Sequence, residues 1–145
     1  MNNEGLVACH YFERFRSNQG PVENIYLLMR ETIEPGESIE TCLARGLKEE
    51  FGAIGMPRQF LGTIVSHFPN KQDILVEKTT LYFLVDCLQI NQEDRDTEGE
   101  ESKSKVCWLT IDELKQRMVD QSRRYPERTD FNESIVLDRA RAIIQ

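Results

Sequence analysis

Cysteine and histidine are present only in patterns that exclude most of their special chemistry. The four cysteines, Cys9, Cys42, Cys87 and Cys107, are widely scattered without a CxxC pair, and the two histidines, His10 and His67, are not spaced as metal ligands with them. This argues against a structural zinc site, and a small buried thiol is the reading for cysteines in strand-like runs. Basic residues are also in deficit. Eighteen lysines and arginines against 25 acids leave a formal net charge of −7, which argues against a nucleic-acid duplex as partner. No apolar run approaches a membrane span. The start, Met-Asn-Asn-Glu-Gly, lacks the basic region and apolar stretch of a secretory signal, so a cytoplasmic location with no membrane partner is expected. What is present is the composition of a soluble globular protein, 39% hydrophobic, over a length that suits one domain, residues 1–145.

The most informative stretch runs from Glu34-Pro-Gly-Glu37-Ser to Arg45-Gly46-Leu-Lys-Glu49-Glu50-Phe-Gly52. At about 100° per residue, Ile39, Cys42, Leu43, Gly46, Leu47 and Glu50 fall within roughly 140° of one another on a helix. Glu50 therefore sits in the middle of the apolar arc. Glu49 lies at its edge, one turn after Arg45. A carboxylate is costly to bury without a partner, so this face needs a cation, a metal or strong hydrogen-bond donors. A plainer reading of the same residues is a surface helix with an Arg45–Glu49 ion pair and a half-exposed Glu50.

The spacing resembles the Nudix box, G-x5-E-x7-R-E-U-x-E-E-x-G-U with U aliphatic. Glu37, Arg45, Leu47, Glu49, Glu50 and Gly52 fall in register, and Ala53 is a weak fit to the last position. Two positions depart from the pattern: Glu31 stands where the box opens on glycine, and Gly46 stands where a glutamate follows the arginine. The resemblance implies an α/β fold, a Nudix-like α/β/α sandwich with a mixed β-sheet. Composition and periodicity by themselves reach only α/β or α+β.

The rest of the chain supports alternating elements. Residues 6–16 and 25–29 read as strands joined by turn chemistry, residues 60–68 and 77–88 as two more, and 106–109 as a short fifth. The box helix is expected to start after Ser38 as N-cap and to end at Gly52, with Gly55 and Pro57 preventing its continuation. Residues 91–105 read as an acidic loop. Thr110 and Glu113 form a capping-box pattern opening a helix to about Met118, and Asp130 with Glu133 forms a second one opening the last helix. Apolar residues left exposed on that last helix would hint at a homodimer.

The resemblance further implies a site. Glu49 and Glu50 correspond to metal ligands, Arg45 to a residue that orients a box glutamate, and Glu37 to the glutamate that organises the loop and helix. Mg2+ or Mn2+ would be the cofactor, and glutamates one turn apart on a helix supply the hard oxygen ligands it takes. Gly46 removes a carboxylate that the family uses, and it costs the helix about 1 kcal/mol relative to alanine. Glu31, or a member of the run Glu93, Asp94, Asp96, Glu98, Glu100 and Glu101, is the available replacement, with Glu100 or Glu101 the choice within the run. Tyr11, Phe12, Tyr26 and Phe68 are candidate stacking residues, and His67 a candidate acid or base. The implied function is metal-dependent cleavage of a diphosphate linkage in a nucleoside diphosphate derivative. The alternative is a catalytically inactive Nudix-like domain that binds a nucleotide or a protein partner.

Overall fold

Side chains along a strand point alternately to its two faces, and in β1 (Val7–Phe15) the two faces serve two different layers. The computed structural model describes residues 1–15 and 20–145, so Arg16 and the turn residues 17–19 lie outside the described residues. β1 is the central strand of a three-stranded antiparallel sheet, between β2 (Val22–Leu27) and the strand Lys105–Leu109. Cys9 packs with Ile111, Leu114, Met118 and Leu137 on one face. On the other, His10 stacks near Phe51 of the box helix and Phe12 packs with Ile25, Leu27 and Phe131. Helices thus cover the sheet from both sides, as the α/β/α reading expects.

The box helix, α1 (Ile39–Phe51), starts and stops where its sequence says. The Ser38 hydroxyl accepts the Thr41 N–H at 3.1 Å, and Gly52 takes the left-handed conformation at φ 63°. Glycine is required at that end for a second reason: a Cβ on Gly52 would lie 2.0 Å from the Asn91 carbonyl oxygen.

The next two strands are longer than their patterns suggest. β3 (Ala53–Pro69) begins directly after Gly52 and pairs antiparallel with β4 (Leu75–Ile90) as a separate two-stranded sheet. Gly55 and Pro57, which read as chain breakers, lie inside β3 because its register shifts after Ile54, Pro57 and Phe60 absorb them. β3 pairs with β4 alone, and an edge strand tolerates the proline's missing donor. A mixed sheet was expected. The described pairings are all antiparallel, in two sheets. After β4 the acidic loop contains two short 3-10 turns, Gln92–Asp94 and Glu101–Lys103, and leads into β5 (Lys105–Leu109).

Helix α2 (Ile111–Arg124) opens on the expected Thr110–Glu113 capping box but continues well past Met118. Gln121 explains the extra turns. Fully buried, it donates to the Tyr26 and Phe131 carbonyls at 2.7 Å each and accepts the Tyr26 N–H at 2.8 Å, so a residue that looks polar on paper belongs to the buried face.

The last helix departs from expectation at its start. α3 (Ser134–Ile144) follows a 3-10 turn, Thr129–Phe131, and the Asp130–Glu133 capping box does not form. Both carboxylates are committed elsewhere: Asp130 takes a two-pronged Arg128 at 2.8 Å, and Glu133 takes the Leu28 N–H at 3.2 Å and Arg30 Nη2 at 2.6 Å. Charge-assisted pairs of buried groups outweigh a cap that water can replace. α3 buries Val136, Leu137 and Ala140 and leaves Ile135 and Ile143 exposed. No helix among the described residues is long and apolar enough to cross a membrane.

Candidate active site

The last turn of α1 carries four carbonyls that the helix itself cannot satisfy, and the acidic loop is docked there because it supplies donors. The Asp96 N–H donates to Glu49 O at 2.8 Å, and Arg95 Nε donates to Glu50 O at 2.6 Å. The same guanidinium reaches back to its own loop, donating to Glu101 O at 2.8 Å and Ser104 O at 3.2 Å. Backbone hydrogen bonding therefore places the loop's carboxylates beside those of the helix. Glu31, Glu49, Glu50, Asp96, Glu98 and Glu101 line one open cleft of about 390 Å³, together with Arg30 and Lys78. Glu101 belongs to this cleft, whereas Glu100 pairs with Lys103 at 3.3 Å outside it.

Glu50 is only 5% exposed, in agreement with its place in the apolar arc, and its partner is a histidine. His10 Nε2 lies 2.6 Å from Glu50 Oε2, and His10 Nδ1 lies 2.6 Å from Ser104 Oγ. The Ser104 hydroxyl donates to Glu101 O at 2.8 Å and accepts Arg95 Nη2 at 3.0 Å, so it is free to accept the Nδ1–H of His10. Nε2 then accepts the carboxyl proton of Glu50. The titration directions agree with a neutral pair. Burial pushes Glu50 up to about 9, helped by the nearby Glu101 and Glu31 carboxylates, and burial pushes His10 down to about 4, helped by Arg95.

Arg45 holds the box entry against the helix. Its Nε and Nη2 grip both oxygens of Glu37 at 2.9 Å, and Nη2 also donates to the Thr32 carbonyl at 2.9 Å. The Arg45 hydrogen bonds, with the Glu34 backbone N–H, hold the Glu37 carboxyl down to about 2. Arg45 Nη1 lies 3.1 Å from Glu31 and 3.5 Å from Glu49, whose side chain is 43% exposed.

The two departures from the box meet in space. A Cβ built on Gly46 would lie 2.8 Å from Glu31 Cβ and 3.2 Å from its Cγ, closer than packed carbon atoms tolerate. The side chain absent from position 46 is the room that the side chain at position 31 occupies. The NUDIX domain family model matches residues 2–128. The chain belongs to the Nudix family. No curated relative matches it.

In this Nudix domain the cleft offers carboxylate oxygens from three segments, a donor set that fits a hard divalent cation better than a soft one. Among the described residues, no three acidic, histidine or cysteine side chains are already drawn together as a ligand set. Glu31 is turned toward Arg45 and Glu50 toward His10.

The aromatic candidates do not line the Nudix cleft. Tyr11 and Tyr26 stack on each other at 5.0 Å on the face that carries Cys9, Phe12 is core, and Phe68 lies against Arg128. His67 pairs with Glu77 at 3.0 Å on the hairpin, away from the cleft. The residues that sequence reasoning missed are His10, Arg95, Ser104 and Lys78. The contacts that bring His10, Arg95 and Ser104 to the site span 40 to 94 positions, and no periodicity reports such contacts.

Proposed function

We propose that this protein is a Nudix-type hydrolase that cleaves a diphosphate linkage in a nucleoside diphosphate derivative, with Mg2+ or Mn2+ held by Glu49, Glu50, Glu31 and Glu101. The observation that carries this reading is the exchange at positions 31 and 46. The Glu31 stem packs over Gly46, and its carboxylate lines the same cleft as Glu49 and Glu50, so the chain keeps a third carboxylate beside the helix although position 46 has lost its own. The bound cation would neutralise phosphoryl oxygens and lower the pKa of an attacking water. Within the protein, Arg45 and Glu37 hold the box entry in place, His10 orients Glu50, and Arg95 keeps the Glu101 loop beside the helix. All four cysteines are free, which fits a reducing cytoplasm.

The second reading is an inactive Nudix-like domain that binds a nucleotide or a protein partner. It draws support from Glu50 and Glu31, whose carboxyl groups already have partners in His10 and Arg45. One experiment separates the two: incubation with Mg2+ or Mn2+ and a panel of nucleoside triphosphates, nucleotide sugars, ADP-ribose and dinucleoside polyphosphates. The hydrolase reading expects metal-dependent nucleotide or phosphate release that Glu50→Gln abolishes. Release from none of them favours the second, and release unaffected by Glu50→Gln removes Glu50 from the metal ligands.

A further inference from the structure

A second cavity shares part of its wall with the acidic cleft. It lies between residues 29–33, the first turns of α1 and the strand β4, and Arg30, Glu31, Thr32 and Lys78 line both spaces. Beyond that joint its walls are mainly apolar, formed by Ile33, Ile39, Leu43, Leu81 and Phe83, with the Thr79 and Thr80 hydroxyls and the Cys42 thiol as polar side-chain groups. Ile33, Ile39 and Leu81 are each 40% exposed or more, so the groove is not filled by its own side chains. The two cations at the joint differ. Arg30 is committed to Glu133 at 2.6 Å and Asp130 at 3.6 Å, whereas Lys78 enters no ion pair among the described residues. An uncommitted ammonium between a carboxylate cleft and an apolar groove matches a ligand with an anionic group in its middle and an uncharged group at one end.

Building on the hydrolase reading, we propose that this groove takes the nucleobase of the substrate by apolar contact, with Lys78 on the adjoining phosphoryl group. Reading the edge of a base takes paired donors and acceptors. No asparagine, glutamine or aspartate lines the groove; away from the joint its polar side chains are the single hydroxyls of Thr79 and Thr80 and the Cys42 thiol, and its one carboxylate, Glu31, lies at the joint. A pocket of this kind separates similar ligands by roughly 10–200-fold, against 10⁴–10⁵-fold for a site that hydrogen-bonds its ligand. The protein therefore accepts purine and pyrimidine derivatives alike.

Calorimetric titration of the whole chain with ADP, GDP, CDP and UDP, in the presence of Mg2+, tests this without relying on turnover. The expected result is binding of all four within about 100-fold of one another. Lys78→Met and Leu81→Glu should each weaken all four by about tenfold or more. Ile39→Glu repeats the Leu81 test at a first-turn helix position where an acid is well tolerated, should Leu81→Glu fail to fold. Discrimination beyond about 1,000-fold among the bases, binding that the groove variants leave unchanged, or no binding at all would overturn the proposal. Binding as described without hydrolysis of any nucleoside diphosphate derivative would leave the groove in place and remove the hydrolase reading. Hydrolysis with sharp base discrimination would do the reverse.

Discussion

Gly46 and Glu31 share one space: the Cβ that any other residue would add at position 46 falls 2.8 Å from the Glu31 Cβ. The contact is between atoms close to two backbones, so neither can swing aside as the tip of a long side chain would.

Gly46→Ala therefore tests two opposed effects. Helix propensity favours alanine by about 1 kcal/mol, while overpacking against Glu31 costs about 1–3 kcal/mol. The expected net result is destabilisation, read as a lower urea midpoint. In a Glu31→Gly background only the flexible tip of Met29, at 3.3 Å, still meets the new Cβ, and Gly46→Ala should become stabilising. For function, Glu31→Gly alone should weaken Mn2+ binding, followed by electron paramagnetic resonance, by about tenfold or more. The exchange Glu31→Gly with Gly46→Glu should recover most of it. Unchanged Mn2+ affinity in Glu31→Gly would remove Glu31 from the ligand set.

The His10–Glu50 pair gives the metal-free protein a specific pH dependence. Glu50 is raised to about 9 by burial, so between the unfolded His value near 6.5 and pH 9 the folded state holds one proton that the unfolded state has lost. Stability falls with rising pH in that window, by on the order of 1 kcal/mol per pH unit. From pH 4.5 to 6.5 the raised Glu50 and the lowered His10 cancel, because each state binds one proton at the pair. Urea denaturation in EDTA at pH 6, 7, 8 and 9 should show this, and Glu50→Gln, which has no proton to lose, should flatten the alkaline slope. Saturating Mg2+ should flatten it as well, since a cation takes the place of the proton.

Arg95 is the clamp between helix and acidic loop. Arg95→Ala removes donors to the exposed Glu101 O and to Glu50 O, Ser104 O and Ser104 Oγ, and leaving the last three, which are part-buried, unsatisfied costs about 1–3 kcal/mol. Amide exchange should speed up at Asp96, whose N–H bonds to Glu49 O, and at Ser104, while the capping box of α2 stays protected. Exchange unchanged at Asp96 would mean that backbone bonds alone hold the loop.

Arg45→Lys tests the fork geometry. A lysine offers one point of contact where the guanidinium makes two bonds to Glu37 and a third to the Thr32 carbonyl. Glu37, held down to about 2 mainly by Arg45, should move up toward the ordinary carboxylate range in a carbon-13 titration. The pair's contribution is present above pH 4.5 and lost as pH falls toward 2, so the variant should lose its stability less steeply with acid across that window.

The sequence by itself determined the local features of this Nudix domain. Ser38 and Gly52 bound α1, Thr110 and Glu113 start α2, and Glu50 points into the protein, all from interactions within a few residues along the chain. Spacing also exposed the two anomalous box positions. Only the tertiary structure decided that they are a single anomaly, because Glu31 and Gly46 meet across a loop whose path no periodicity encodes. Long-range pairing likewise decided that α2 runs on through Gln121, that Pro57 lies within a strand, and that Asp130 and Glu133 serve arginines in place of a helix cap. His10 reads as an unremarkable strand histidine until β1 is laid against α1, and then it is the partner of Glu50. The physical reason is common to all of these. Caps and helix faces depend on neighbours along the chain, whereas burial of a charge is settled by whichever distant group arrives to satisfy it.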